Sequence, residues 1–291
     1  MKPTLLVKDK FLLAESPVWS ADRNSLFWVD IEGKALNEFY WKSSELEKFS
    51  LPQRVGFLAE AGDEKLILGL QKGLAWFDLT SQELTWLQDV EKERENQRCN
   101  DGKCDAQGRL WFGTMDLEAR SGAGNLYVFD QQQGLRTKLS GLGIPNGITW
   151  SLSKEKLYHI DSTSRTIKSY LFDPLQGSIT FEKIAVQVPE KFGLPDGMTI
   201  DEEGMLWVAH WGGFGVYRWN PNTGQLLTKI DLPVPQVSSC AFGGDAYEYL
   251  FITSASIHLT KAEQKKYPLS GSIFMVKPGV RGLPPNKFGI S

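Results

Sequence analysis

The chain has 291 residues, with 32 Lys or Arg against 35 Asp or Glu and a formal net charge of −3, so it lacks the cationic excess that holds nucleic acid. Apolar residues make up 41% of it, enough for a sizeable core, yet they never gather into the ~20-residue run a membrane-spanning helix needs. Three cysteines, an odd count without zinc-finger or thioredoxin spacing, speak against a disulfide framework. Near the N-terminus Lys2, Lys8, Asp9 and Lys10 interrupt the leucines and leave no signal-peptide core. Together these features predict a reduced, cytoplasmic protein with no nucleic-acid or membrane partner.

In chain order, TLLV (4–7) and FLLA (11–14) are short apolar strands, either of which is placed to pair with SIFMV (272–276) near the other end. AESPVW (14–19) then begins a pattern that recurs: a polar segment, a turn, and a Leu-led hydrophobic run. The leading residues are Leu26, Leu66, Leu110, Leu157, Leu206 and Leu250, at steps of 40, 44, 47, 49 and 44 residues. A four-stranded propeller blade occupies roughly 40–50 residues. Further strand-like runs follow most of these leucines: LAWFDL (74–79), NLYVFD (125–130), IKSYLFD (167–173) and GVYRWN (215–220). Asn-Gly, Asp-Gly, Pro-Asn and Gly-Gly pairs punctuate them. DVEKEREN (89–96) is too charged for a buried helix face and reads as a loop, whereas KAEQKKY (261–267) suits a short helix. Ten Trp, eight Tyr and sixteen Phe suit sheets packed face to face. The expected fold is all-β: a six-bladed β-propeller, with four-stranded blades around a central channel, forming one domain over residues 1–291. An array of β-sandwiches would want a Pro- or Ser-rich linker, which the chain lacks.

The same register locates a candidate site. Counting back from the leucines, Glu15 lies at −11, Asn100 at −10, Asn146 at −11 and Asp196 at −10. The other two repeats hold Val55-Gly56 and Ser239-Cys240 at these positions. Equivalent positions in equivalent blades converge on one mouth of the channel. Carboxylates gathered there repel each other and resist desolvation, and a bound cation removes both penalties. Oxygen donors alone suit a hard ion such as Ca²⁺, Mg²⁺ or Mn²⁺, and two carboxylates with one or two carboxamides leave coordination positions open for catalysis. Taken singly, the Asn and Asp residues before glycine read as tight turns; their shared register, and a carboxylate at Glu15 that no turn demands, favour the metal site. Arg98 is placed to project into the pocket, whereas Lys103 reads equally as a surface charge. The three histidines form no zinc motif: His159 reads as structural, and His210 has some claim on the pocket.

The motifs ESPVW (15–19), FWVDI (27–31), NDGKCDAQGRLWFGTMD (100–116), PNGITWS (145–151), YHIDS (158–162), PDGMTIDEEGMLWVA (195–209) and CAFGG (240–244) resemble those of the SMP-30/gluconolactonase/regucalcin-like family, in order and over essentially the whole chain. HWGGFGVYRWNP (210–221), LPVPQVSS (232–239) and KKYPLSGSIF (265–274) look most like its bacterial sugar-lactonase branch, the xylono- and arabinolactonase-like proteins. The resemblance implies metal ligands at Glu15, Asn146 and Asp196, and substrate contacts at Arg98, Asn100 and Glu118. The Glu118 loop varies in length across the family and is short here. It also implies one divalent ion, calcium first, with manganese, zinc, iron or magnesium as alternatives.

The expected activity is hydrolysis of an aldonolactone of the glucono-, xylono- or arabinono- type to its aldonic acid, by a monomer or weak dimer. The metal would polarise the carbonyl as a Lewis acid, with Asp196 and metal-bound water supplying the nucleophile. Two other readings stay open. One is a different lactone or phosphotriester hydrolase on the same site; the other is a non-catalytic, calcium-binding propeller. Metal-dependent lactone turnover separates the last from the first two, and an apolar pocket without Arg98-type donors would favour the second.

Overall fold

The computed structural model describes residues 2–62 and 64–289, which form six four-stranded antiparallel sheets. The inner strands are Ala14–Ser20, Val55–Glu60, Gln97–Cys104, Pro145–Trp150, Leu194–Ile200 and Val237–Gly243. Each lies against the inner strand of the next sheet, and the sixth lies against the first. The ring therefore closes as a six-bladed β-propeller. The anchor leucines hold one structural position: each pairs with the far end of its inner strand, as in Trp19↔Leu26, Cys104↔Leu110 and Ile200↔Leu206. All six are buried, sealing the interface between neighbouring blades. Burial of each such side chain is worth about 2–3 kcal/mol, and its pairing partner fixes strand register.

Of the two candidate closing strands, Thr4–Val7 joins the last sheet by pairing with Ile273–Val276, so the final blade combines both ends of the chain. The FLLA segment contributes only the bridge Leu13↔Ala255 before running into the first inner strand. The helix Lys261–Lys266 forms where expected, held by a capping box between Thr260 and Glu263. Residues 90–96 form the expected loop. No helix among the described residues is long and apolar enough to cross a membrane.

Two blades share a turn device at the channel end opposite the candidate site. In DAQGRLW (105–111) and DEEGMLW (201–207), the buried Asp accepts N–H groups of its own turn and the indole N–H of the adjacent strand. Asp105 also receives Arg109 Nε at 2.7 Å and Asp201 receives Arg218 Nε at 2.8 Å. With this many donors on it, each buried carboxylate locks its hairpin. The C-terminal segment crosses the same end: Gly282 bridges Asp201, Asn286 Nδ2 donates to the Cys104 carbonyl, and Phe288 stacks on Phe129.

Candidate active site

Every inner strand shifts register near its start, between Glu15 and Val18, Val55 and Phe57, Cys99 and Gly102, Pro145 and Ile148, Pro195 and Met198, and Val237 and Ser239. Such a bulge leaves residues out of the ladder and re-aims their side chains. Asn100, Asn146 and Asp196 sit inside these irregularities and Glu15 at the edge of one, and all four are buried. The Asn-Gly and Asp-Gly pairs are thus not tight turns. Neither Gly147 nor Gly197 takes a positive φ; what they provide is room. A Cβ on Gly147 would lie 2.5 Å from Met198 Cβ, and one on Gly197 would lie 2.0 Å from Ser239 Oγ. Glycine lets neighbouring inner strands approach closely enough for the side chains before it to meet.

Hydrogen bonding orients the two carboxamides. Ser162 Oγ gives its single proton to the Pro195 carbonyl at 2.6 Å, so it can only accept from Asn146 Nδ2, at 2.8 Å. That turns Asn146 Oδ1 toward the next blade, where Asn100 Nδ2 meets it at 2.9 Å. Asn100 Nδ2 also donates to the Pro145 carbonyl at 2.8 Å, which leaves Asn100 Oδ1 to accept from Arg98 at 2.6 Å. Arg98, itself buried, is therefore part of the cluster rather than the surface.

The electrostatics are under tension. Burial, and then the neighbouring Asp101, pushes the Glu15 carboxyl up to about 8, although the Ser16 N–H at 2.8 Å and Arg98 oppose the shift. Burial, then Glu15 and Asp101, raises Asp196 well above the ordinary carboxylate range. Asp101 is raised by burial too, with Lys103 opposing. Burial in turn lowers Arg98 and Lys103. Acidic groups pressed together in this way fit a divalent cation. Among the described residues no three His, Cys, Asp or Glu side chains form a group that could hold a metal ion; Asn146 adds a buried carboxamide oxygen to the carboxylates of Glu15 and Asp196. Ser16, whose φ of 51° is unusual for a non-glycine residue, is held by the Leu58 N–H on its Oγ, and this strain sits directly beside Glu15.

The fold thus brings Glu15, Arg98, Asn100, Asn146 and Asp196 together. Glu118 stands apart: it is exposed and pairs with Arg120 at 2.7 Å. His210 is buried, stacked on Tyr217 with Nδ1 against the Phe192 carbonyl, and buried His159 has no hydrogen-bond partner on either nitrogen among the described residues. Two members of the cluster escape a reading of the sequence. Asp101 hides in Asn-Asp-Gly as a turn residue, and Ser162 lies in the YHIDS strand end. Only the bulge at Asn100 and the packing of Ser162 under Pro195 reveal them.

A closed six-bladed propeller with buried carboxylates and carboxamides at one channel mouth defines a class, and comparison with known proteins places the chain within it. The sequence profile of the "SMP-30/Gluconolactonase/LRE-like region" matches residues 13–256, and the chain belongs to that family. It is 34% identical to regucalcin of Gallus gallus over 289 residues, covering 96% of each chain. It is 31% identical to the "Putative sugar lactone lactonase YvrE" of Bacillus subtilis (strain 168), over 99% of each. Among solved structures, the calcium-binding protein regucalcin from Agrobacterium tumefaciens superposes with a TM-score of 0.95 at 26% identity, covering 100% of this chain and 98% of that one.

Proposed function

We propose that this lactone-hydrolysing member of the family acts on sugar lactones, with one divalent ion held by Glu15, Asn146 and Asp196. The observation that carries the reading is the set of buried oxygen donors in equivalent bulges, with the Asn146 amide turned by Ser162 so that its oxygen faces Asn100 on the neighbouring blade. When bound, such an ion supplies Lewis acidity toward the lactone carbonyl. Calcium is the first ion to test, because the Agrobacterium relative with the same fold is described as calcium-binding.

The chain's own groups do the remaining work. Asp196 takes the proton of the attacking water as general base; its raised pKa belongs to the ion-free site, and a bound ion would lower it. Water adds to the carbonyl carbon, the ring C–O bond breaks, and the ring oxygen leaves as a hydroxyl with a proton, releasing the hydroxy acid. Arg98 spends one terminal nitrogen on Asn100 and on the Cys99 carbonyl, and its other donors face sugar hydroxyls. Asn100, on the same inner strand and fixed by Arg98 and Asn146, positions the ring beside it. Glu118 joins these contacts only by swinging away from Arg120, which makes it the residue through which a particular lactone is selected.

Asp196→Asn tests the proton-transfer role. The variant should keep measurable calcium binding by titration calorimetry and lose at least 100-fold in kcat for gluconolactone. Calcium-dependent turnover at the parent rate would remove Asp196 from that role.

A further inference from the structure

Further along the channel lies a second ring of equivalent positions. Val18, Ala59, Lys103, Thr149, Thr199 and Ala241 pair with Phe27, Ile67, Trp111, Tyr158, Trp207 and Phe251, in each case the residue after an anchor leucine. All six line a single cavity of about 530 Å³, as do Ser16 and Asp101 next to the active site, whereas Glu15, Arg98, Asn100, Asn146 and Asp196 do not border it. Small-molecule sites span roughly 300–1,000 Å³. The cavity runs toward the mouth opposite the active site, where Leu283 and Pro284 of the C-terminal segment border it.

Five members of this ring are uncharged, and Lys103 is the exception. Among the described residues its one hydrogen-bond acceptor is the Met198 carbonyl, at 2.9 Å, although an ammonium carries three N–H donors. Beside polar residues such as Thr149, Thr199 and Ser239, the chamber has an apolar wall built from Met198, Ile200, Phe242 and Leu283. Of the carboxylates that line the chamber, Asp101 is an opposite charge close to Lys103 but, among the described residues, accepts no hydrogen bond from it; Glu60 accepts from Ser20 and lies 4.0 Å from Lys287 Nζ, and Glu202 accepts from the Arg281 N–H. A cation with spare donors in a chamber with an apolar wall recognises a molecule with an anionic head and an apolar body. A polyhydroxylated sugar would leave its hydroxyls unpaired against that wall.

We propose that this chamber is a second ligand site, separate from the lactone site, that binds a small amphipathic carboxylate with its head on Lys103 Nζ and its chain against Met198, Ile200, Phe242 and Leu283. The C-terminal segment Leu283–Asn286 forms the lip over which the ligand enters.

The probe is decanoate, titrated calorimetrically below its micellar range into the full chain in EDTA, with 1-decanol as a neutral-headed control. One saturable site is expected. Lys103→Met should weaken decanoate at least tenfold while leaving 1-decanol unchanged. Ala241→Trp fills the chamber from a partly exposed position and should weaken both ligands at least tenfold. Glu15→Gln should bind decanoate as the parent does, because it touches only the other mouth. Circular dichroism checks that each variant is folded, and if Lys103→Met does not fold, Ala241→Trp decides the matter alone. Absence of saturable binding, or affinity unchanged by Ala241→Trp, would overturn the site. Equal affinity for decanoate and 1-decanol would overturn the role of Lys103.

Discussion

Glu15→Gln should raise stability in the absence of a divalent ion and remove the stabilisation that the ion gives. Glu15 is only 7% exposed and shares its surroundings with Asp101 and Asp196, against the single guanidinium of Arg98. An uncompensated buried charge costs several kcal/mol, of which Arg98 and partial protonation already relieve a share. The new buried amide costs about 1 kcal/mol where it lacks a partner. The ion-free variant should therefore be about 1–3 kcal/mol more stable than the parent. With 291 residues, an unfolding entropy of about 2.1 cal/mol/K per residue makes each kcal/mol worth about 1.6 °C, so Tm rises about 2–5 °C in EDTA. Calcium at about 100 times its Kd should add about 2.7 kcal/mol, or about 4 °C, to the parent alone. Differential scanning calorimetry of both proteins, in EDTA and in calcium, reads all four values. A variant less stable than the parent in EDTA, yet raised equally by calcium, would show that Glu15 is an ordinary buried structural carboxylate and refute the reasoning.

Other consequences follow from the same geometry. Asp201→Ala strands Trp207 Nε1 and Arg218 inside the hairpin and should cost about 3–5 kcal/mol in urea unfolding; a loss below about 1 kcal/mol would mean the turn is not held by that carboxylate. Gly197→Ala drives a methyl into Ser239 Oγ and should cost about 1–3 kcal/mol and weaken calcium binding, read by denaturation and calorimetry, because the inner strands must part. Burial holds His159 and His210 at about 4, so both are neutral in the folded protein and protonate on unfolding. Their unfolded pKa is about 6.5, so stability is full above that pH and falls as pH drops toward 4, by about 3 kcal/mol for each histidine. Urea midpoints that stay flat from pH 6.5 to 4.5 would contradict that. Arg98→Met should raise KM for gluconolactone at least tenfold while calcium affinity moves far less, a split that steady-state kinetics and calorimetry can check.

Much of the fold was legible because the propeller writes one packing requirement six times. Each blade buries a leucine at the same register, and the spacing of those leucines counts the blades. The site was legible for a related reason: residues at one offset in each repeat must meet at the axis, which brought Glu15, Asn100, Asn146 and Asp196 together before any coordinates. What stayed hidden depends on contacts between blades. Nothing in the spacing distinguishes an Asn-Gly turn from an Asn-Gly bulge, because the difference lies in the neighbouring strand that presses on Gly147. Lys103 looked as much like a surface charge as a channel residue until its pairing with Trp111 placed it on the second ring. Asp101 and Ser162 act through partners on other blades, and no local motif records that. Either apolar N-terminal run could have closed the ring; pairing with Ile273–Val276 selected Thr4–Val7.

The central claim, a metal-dependent sugar lactonase at the Glu15 mouth of the channel, is tested most directly by pH-stat hydrolysis. Glucono-, xylono- and arabinonolactones would be offered to EDTA-treated protein before and after adding Ca²⁺, Mn²⁺, Zn²⁺ or Fe²⁺. Turnover that is lost in EDTA and restored by at least one ion, with the rates ranking the lactones, is the predicted result. No turnover with any combination, from protein shown by calorimetry to bind the ion, would contradict the account.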